Sequence, residues 1–386
     1  MYATLVSLLL GSFAIGTTEF VVAGLLPSIA ADLGVTVPQA GFLVTGYALC
    51  VAIGGPILAL IAARFPRKPA LLVIVAIFFA GQILGALAPT FTILMIGRAI
   101  SAAAHGSYFG LAILMATSIM PPGKRGMALA IVVGGINVAN IIGVPLGTAV
   151  GTAFGWRSAF VMVALISLAN FIAIALFAPS PPRAPAGESS FAAQLRAART
   201  PKVLTSYALI VLHMTAFWSV STFVAPYFIE AGGVSHDLLP VILFAFGIAG
   251  GLGVVAGGRY ADRYPVGSLT RTYPVLAACF VLAWLGTPWW WPLGVAAFCI
   301  VWTVGSITVV AVQNRVLSGA AAAPELASSL ISAVFNVGIA AGAALGSNAL
   351  ARGLPVAQLP VIAVIFLATA SLLAVAATRG ETRARS

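Results

Sequence analysis

Long apolar runs alternate with short polar breaks along the whole chain. A membrane-crossing helix needs about 20 mostly apolar residues, and twelve runs approach or exceed that length between breaks rich in Pro, Gly and charge. The pattern predicts an all-α membrane protein with two sets of six spans on either side of a polar stretch. The predicted spans are 4–26, 41–63, 70–88, 91–118, 127–152, 158–177, 203–229, 239–258, 272–287, 292–314, 327–350 and 359–377.

The composition supports a membrane protein. Of the 386 residues, 61% are hydrophobic and 7% are charged, whereas about 25% of residues are charged in an ordinary soluble domain. The three cysteines all lie in apolar runs and are interpreted as small buried apolar residues. They are Cys50, Cys279 and Cys299.

The chain has a net charge of +11, and most of its basic residues lie on one side of the predicted membrane. All but three of the 19 Lys and Arg residues fall in the termini and in the loops that share a side with them. Arg157 and Arg352 lie on the other side, and Arg98 lies within span 4. The positive-inside rule therefore predicts cytoplasmic termini. Single basic residues scattered over several loops do not make a nucleic-acid groove, so no nucleic-acid partner is expected.

The two sets of spans are predicted to be repeats. The segment 63–66 after span 2 and the segment 262–265 after span 8 share an Arg-aromatic-Pro pattern at the same place in each half. Duplicated halves are typical of transporters. The predicted organisation is a six-helix bundle over 1–178, a cytoplasmic linker over 179–202, a second bundle over 203–378 and a cytoplasmic tail over 379–386.

Several motifs resemble those of the major facilitator superfamily. The family's loop motif after span 2 is kept here as Arg64, Arg67 and Lys68, although Ala63 replaces its acid, and a better copy follows span 8 as Gly258–Arg263. Arg98 matches the fourth-span arginine. The segment 135–147, with Gly143 and Pro145, is similar to the fifth-span motif of proton-coupled antiporters. Within the superfamily, 16–20 with Leu26 and Pro27 resembles the drug/proton antiporters, in particular the bacterial sugar-efflux, purine-efflux and chloramphenicol-export permeases.

The resemblance implies a function as well as a fold. It implies two pseudo-symmetric six-helix bundles in the bacterial inner membrane and proton-coupled export of small neutral or amphipathic molecules by alternating access. It implies that no cofactor is needed beyond the proton gradient. It also implies a monomeric chain whose partners are the substrate, protons and membrane lipids. A proton symporter that imports a sugar or nucleoside stays open, as does, more remotely, a membrane-embedded enzyme.

Glu19 is the only acidic residue well inside a predicted span. An ionisable group in a span is costly and is interpreted as functional by default, so Glu19 is the candidate proton carrier. At 1.5 Å per residue, Glu19 and Arg98 lie at similar depths, and Arg98 is its expected partner if spans 1 and 4 adjoin. A permanent ion pair that only holds helices together is the alternative. His105 lies two helical turns after Arg98, on the same face, and either lines a cavity or makes an interhelical hydrogen bond; it is the third proton-coupling candidate.

Polar and aromatic residues within spans are the candidate substrate-binding groups, because an apolar wall with a few polar groups suits a drug-sized ligand. For any one of them, helix packing is the competing interpretation. They are Tyr47, Ser101, Tyr108, Asn137, Asn140, His213, Phe217, Trp218, Ser221, Trp302, Ser306 and Asn336. No metal site is expected, because the three histidines lack ligand spacing and nearby thiolates.

The loop motifs and the fifth-span glycines are the candidate gating residues. Asp262 is expected to stabilise the start of span 5 through its helix dipole, a role that Ala63 cannot play. Glu325 is expected to contact Arg64. The gating set is Arg64, Arg67, Gly143, Pro145, Gly258, Asp262, Arg263 and Glu325.

Overall fold

The computed structural model describes residues 1–179, 200–263, 268–320 and 324–385. Within these residues, 12 helices are long and apolar enough to cross a membrane, which confirms the predicted all-α, twelve-span class. Spans 1 to 4 are Tyr2–Leu33, Val37–Ala62, Arg67–Ala86 and Phe91–Ser118, and span 5 joins Arg125–Val138 to Val144–Phe154. Spans 6 to 12 are Trp156–Phe177, Pro201–Ser221, Leu239–Arg263, Ser268–Gly286, Trp291–Gly319, Pro324–Ala351 and Leu359–Arg385.

Local capping signals explain where several spans begin and end. Thr36 and Gln39 form a capping box at the start of span 2, with the Thr36 hydroxyl accepting from the Gln39 amide, which satisfies two otherwise unpaired donors. Thr90 caps span 4 by accepting from the Ile93 backbone amide, without the reciprocal bond of a capping box. Gly34, with φ 63°, ends span 1 in the left-handed conformation that glycine adopts without steric cost.

Span 5 contains a wide turn just before its proline. Residues Ala139–Gly143 form a π-helical turn, in which the Val144 amide donates to the Ala139 carbonyl five residues back. Such single turns interrupt an α-helix locally and place one extra residue in it. Pro145 follows directly and has no amide hydrogen to donate. The two segments of span 5 therefore meet at a local break.

Span 7 is shorter than the predicted 203–229. The helix ends at Ser221, and a single turn, Val224–Pro226, leads into a π-helical turn, Tyr227–Ala231. The Thr222 hydroxyl donates to the Trp218 carbonyl, which offers the backbone a local alternative to the regular helix. Pro226 then removes a further backbone donor. An apolar pattern could not show this break, because every residue around it remains buried.

The chain forms two compact units. Unit 1 comprises Met1–Ala186 with His236–Phe244, and unit 2 comprises Gly187–Ser235 with Ala245–Ser386. Of the predicted linker over 179–202, residues 180–199 lie outside the described residues. The last helix runs to Arg385 and so extends through nearly all of the segment that was predicted as a tail.

Unit 1 has an apolar core between spans 1, 3, 4 and 6. Leu8, Leu71, Ile74, Met115 and Val163 are among its buried members. At the end of the unit where span 1 finishes, Arg157 forms an ion pair with Asp32 and also donates to the Ala88 carbonyl. These contacts connect the loops after spans 1, 3 and 5. The other end of unit 1, where spans 2 and 4 finish and spans 3 and 5 begin, is called the basic end below.

Candidate functional site

Arg98 is the most buried charged residue that the structure describes, with 1% of its surface exposed. Its Nη1 donates to the backbone carbonyl of Thr18 at 2.6 Å, so spans 1 and 4 adjoin, as the pairing of Glu19 with Arg98 requires. Its guanidinium lies over the ring of Tyr47 on span 2, 3.8 Å from the ring centroid. A cation over an aromatic face is attracted by the ring quadrupole, more strongly where water is excluded.

The guanidinium is only partly satisfied. Within the described part of the chain, its Nε and Nη2 have no hydrogen-bond partner. Leaving a buried charged donor unpaired is costly, so such an arrangement in a native protein calls for a partner in another state. The nearest acidic residue along span 1 is Glu19, which follows directly after Thr18.

Glu19 and Arg98 are neighbours without an ion pair. Their charges are close enough to interact, but among the described residues the ion pair found joins Arg157 and Asp32. Glu19 is half-buried. The permanent ion pair that the sequence left open as an alternative is therefore absent from this conformation, although the two groups interact through their charges.

A second polar chain connects spans 1, 3 and 4 beside this pair. The Thr18 hydroxyl donates to Gln82 Oε1 at 3.0 Å, and Gln82 Nε2 donates to the Ser101 hydroxyl at 3.0 Å. All three side chains are buried. Close helix packing makes this reach possible, because a β-carbon at Gly97 would lie 2.9 Å from the Gly81 carbonyl oxygen.

His105 makes an interhelical hydrogen bond. Its Nδ1 lies 3.1 Å from the Tyr47 hydroxyl, and its ring packs edge-on against Phe109. Of the two interpretations of His105 that the sequence allowed, this conformation shows the interhelical bond. Since Tyr47 also carries Arg98 on its ring face, one tyrosine connects the buried cation to the buried imidazole.

Unit 2 carries an aromatic cluster on spans 7 and 10. The rings of Phe217 and Trp302 lie 4.8 Å apart in an edge-to-face arrangement, and Phe217 also contacts Trp218 and stacks on His213. Trp302 stacks further on Phe246 of span 8. Aromatic pairs of this geometry stabilise packing beyond the area they bury. The structure thus brings together four of the candidate aromatic and imidazole groups.

Unit 2 also contains buried polar atoms without a partner. Within the described residues these include His213 Nδ1, the Ser221 hydroxyl and Asn336 Oδ1. Asn336 otherwise donates only to the Ser332 carbonyl of its own helix. Ser306 of span 10 is half-buried and packs where a β-carbon at Gly253 would touch it. Unsatisfied buried polar groups in a native protein need an explanation, and a ligand is one.

Three other substrate candidates have different surroundings. Tyr108 is fully buried in unit 1, where its hydroxyl donates to the Leu8 carbonyl and also bonds with Asn170. It therefore serves the contact between spans 1, 4 and 6 in this conformation. Asn137 and Asn140 of span 5 are half-buried, and Asn140 lies inside the π-helical turn.

The gating candidates at the basic end of unit 1 contact neighbouring helix ends. Arg67 Nη1 donates to the Leu114 carbonyl near the end of span 4 at 3.4 Å. The adjacent Lys68 donates to the Ala175 carbonyl near the end of span 6 at 2.8 Å. Basic groups at these positions complement the partial negative charge of helix C-termini. Arg64 is exposed.

The remaining gating candidates divide between the units. In unit 1, Gly143 packs against Thr17 and Phe13 of span 1, and Pro145 is buried. In unit 2, a β-carbon at Gly258 would meet open space, and Arg263 is exposed. The side chains of Asp262 and Glu325 lie outside what the structure describes, so their expected contacts stay predictions.

Sequence reasoning missed Gln82, Thr18 and Asn170. Gln82 carried a usable signal, since it is the only polar residue of span 3 after Lys68. Thr18 and Asn170 carried none, because threonine and asparagine are common in such helices. Within the described residues, no group of three or more His, Cys, Asp or Glu side chains could hold a metal ion.

Comparisons with known proteins agree with this architecture. The family model of the Major Facilitator Superfamily matches residues 8–347. The inner membrane transport protein YdhP of Escherichia coli (strain K12) is 33% identical over 380 residues, covering 98% of this chain and 96% of that protein. A chloramphenicol resistance protein of Streptomyces lividans is 34% identical over 342 residues, covering 87% and 86%.

The fold is also that of a solved transporter. The crystal structure of a bacterial homolog to the human lysosomal transporter Spinster, in an inward-facing and unoccupied conformation, superimposes with a TM-score of 0.76. It covers 97% of this chain at 20% identity. The helices and their buried polar groups define a multi-pass membrane transporter with 12 spans. The chain belongs to the Major Facilitator Superfamily.

Proposed function

We propose that this chain is a proton-coupled secondary active transporter that exports small neutral or amphipathic molecules by alternating access. The observation that carries the proposal is the buried Arg98 guanidinium, with two free donor atoms next to Glu19. In one state, ionised Glu19 pairs with these donors. In the other state, protonated Glu19 releases them, and Arg98 keeps the Thr18 carbonyl and the Tyr47 ring.

The surroundings of Arg98 support a switch rather than a fixed pair. The Thr18 carbonyl and the Tyr47 ring hold the guanidinium whether or not Glu19 is charged. Buried charges are expensive unless they are paired, so the carboxyl group takes up a proton when the pair is broken. His105, bonded to Tyr47, is the second titratable group of this cluster. Loading and release of one proton thereby break and form the contact between Glu19 of span 1 and Arg98 of span 4.

The proposed substrate class rests on unit 2. Its cluster of Phe217, Trp218 and Trp302, with unpaired polar atoms on His213 and Asn336, suits a planar, weakly polar molecule. Among the described spans of unit 1, Glu19 is the one acid that lies away from a span end, since Asp32 is paired with Arg157 at the end of span 1. This argues for neutral cargo, because one carboxylate would otherwise serve both the proton and a cation. The name of the Streptomyces lividans relative points to phenicols as the first compounds to test.

Transport into everted membrane vesicles tests direction and coupling together. With an imposed acid-inside proton gradient, we expect a labelled phenicol, sugar or nucleoside to accumulate in vesicles that contain the protein. A protonophore should abolish the accumulation. Vesicles that contain the Arg98→Leu variant test the need for the buried cation and should accumulate no labelled substrate. Loss of preloaded substrate together with protons would indicate symport and contradict export, and accumulation that survives the protonophore would contradict proton coupling.

A further inference from the structure

The basic end of unit 1 carries only positive charge among the residues that the structure describes. Arg64 and Lys124 lie in the two loops at this end, and Arg67 and Lys68 begin span 3. The described acids of unit 1 are elsewhere, with Glu19 halfway along span 1, and Asp32 and Asp237 at the opposite end. No carboxylate within this part of the chain is therefore available to neutralise the cluster.

Two of these cations are held in place from opposite sides of span 3. Arg67 donates to the Leu114 carbonyl of span 4, and Lys68 donates to the Ala175 carbonyl of span 6. Each uses a single donor for this contact. A lysine ammonium has three N–H groups and a guanidinium has five, so both keep donors for a further acceptor. Both side chains are half-buried, as expected for groups at a membrane surface.

Apolar residues lie near Lys68 and near its acceptor Ala175 along the chain. Leu176 and Phe177, the residues directly after its acceptor Ala175, are 70% and 55% exposed. Leu72 lies one turn along span 3 from Lys68 and is half-buried. Phe65, between the cations of the loop, is 57% exposed. Aromatic and aliphatic side chains at such a position insert into the boundary between headgroups and acyl chains.

We propose that the start of span 3, the loop before it and the end of span 6 form a binding site for the phosphodiester headgroup of an anionic phospholipid. Lys68 and Arg64 bind the phosphate oxygens, and Leu72, Leu176 and Phe177 contact the upper part of the acyl chains. The apolar surround favours a lipid over a free phosphate ion, since an inorganic anion gains nothing from Phe65 or Phe177. Clusters of basic residues next to membrane helices recognise anionic lipids in this way.

Native mass spectrometry of the full-length protein in detergent tests the site. Phosphatidylglycerol is titrated into wild type, Arg64→Gln and the double variant Arg64→Gln/Lys68→Gln, with phosphatidylcholine as the neutral lipid. A cation near an anionic lipid surface contributes about 1 kcal/mol, or about fivefold in affinity. We expect the apparent affinity for phosphatidylglycerol to fall about fivefold in the single variant and about 25-fold in the double variant.

Two controls keep the outcome decisive. Arg352→Gln removes an exposed cation from a loop of unit 2 and should leave the affinity unchanged, whereas Lys68→Arg should retain it. Arg64 is exposed and its side chain forms no hydrogen bond or ion pair with the described residues, so Arg64→Gln should not unfold the protein. Equal phosphatidylglycerol affinity in wild type and both Gln variants would overturn the proposal. Displacement of the lipid by equimolar inorganic phosphate would also overturn it, since the site would then select a free anion.

Discussion

Arg98 and Tyr47 form a buried cation–aromatic pair between spans 4 and 2, with the guanidinium carbon 3.8 Å from the ring centroid. The same tyrosine bonds to His105 through its hydroxyl group. The Tyr47 side chain therefore contacts Arg98 through its ring face and His105 through its hydroxyl group. Substitutions can remove these two contacts separately.

Tyr47→Phe should cost about 1 kcal/mol of unfolding free energy, because it removes the bond to His105 but keeps the ring. Tyr47→Leu should cost about 2 kcal/mol more, because Arg98 also loses its aromatic face in a fully buried site. Denaturant titration in mixed micelles measures both values. Equal destabilisation by the two variants would show that the ring face does not support Arg98.

Gln82 should couple energetically to Thr18. A double-mutant cycle with Gln82→Leu and Thr18→Val removes the bond from each side and then from both. We expect a coupling energy of about 0.6 kcal/mol and at most about 1.7 kcal/mol, the range for hydrogen bonds between membrane helices. The cycle is measured by the free energy of unfolding in micelles. Strict additivity of the two single variants would argue that Thr18 and Gln82 do not interact in the folded protein.

Spans 2 and 4 touch through their backbones at Gly55 and Gly106. A β-carbon at Gly106 would lie 2.5 Å from the Cα atom of Gly55, so Gly106→Ala must push the two helices apart. Overpacking of this kind costs about 1–3 kcal/mol. Gly110 lies one turn further along the same helix and faces open space, so Gly110→Ala is the matched control. Thermal unfolding should show a lower Tm for Gly106→Ala alone; a similar loss in both would contradict the contact.

The π-helical turn of span 5 should matter for transport. A β-carbon at Gly143 would overlap the Thr17 hydroxyl, two residues before Glu19, whereas one at Gly134 would meet open space. We expect Gly143→Ala to reduce vesicle transport at least about tenfold and Gly134→Ala to leave it near the wild-type rate. Protein amounts in the two preparations are matched by immunoblot. Transport at the wild-type rate by Gly143→Ala would contradict a role for the π-helical turn of span 5 in transport.

Sequence patterns predicted the fold well because the bilayer permits few solutions. Only helices satisfy their own backbone hydrogen bonds in lipid, so twelve apolar runs translate directly into twelve spans. The break of span 7 after Ser221 escaped prediction, since a buried break retains an apolar pattern. A sequence therefore predicts where membrane helices occur more readily than where they are interrupted.

The candidate site was predictable only in part. Arg98 and Glu19 were found because ionisable residues in apolar spans are rare and costly. Gln82 could have been found on the same grounds, as the one polar side chain of span 3 after Lys68. The partners of Arg98 could not have been predicted. They are a backbone carbonyl and a ring face on two other helices, and residue spacing does not indicate such contacts. The same holds for Lys68, whose acceptor lies 107 residues away.

The most direct test of the account is proton movement by Glu19→Gln. Purified protein is reconstituted into proteoliposomes with a pH-sensitive dye inside and an imposed proton gradient, and the substrates that accumulate in everted vesicles are added. Glu230→Gln, which neutralises an exposed acid in unit 2, is the matched control. The account predicts substrate-evoked proton movement in wild type and in Glu230→Gln and none in Glu19→Gln. Undiminished proton movement in Glu19→Gln would contradict the assignment of Glu19 as the proton carrier.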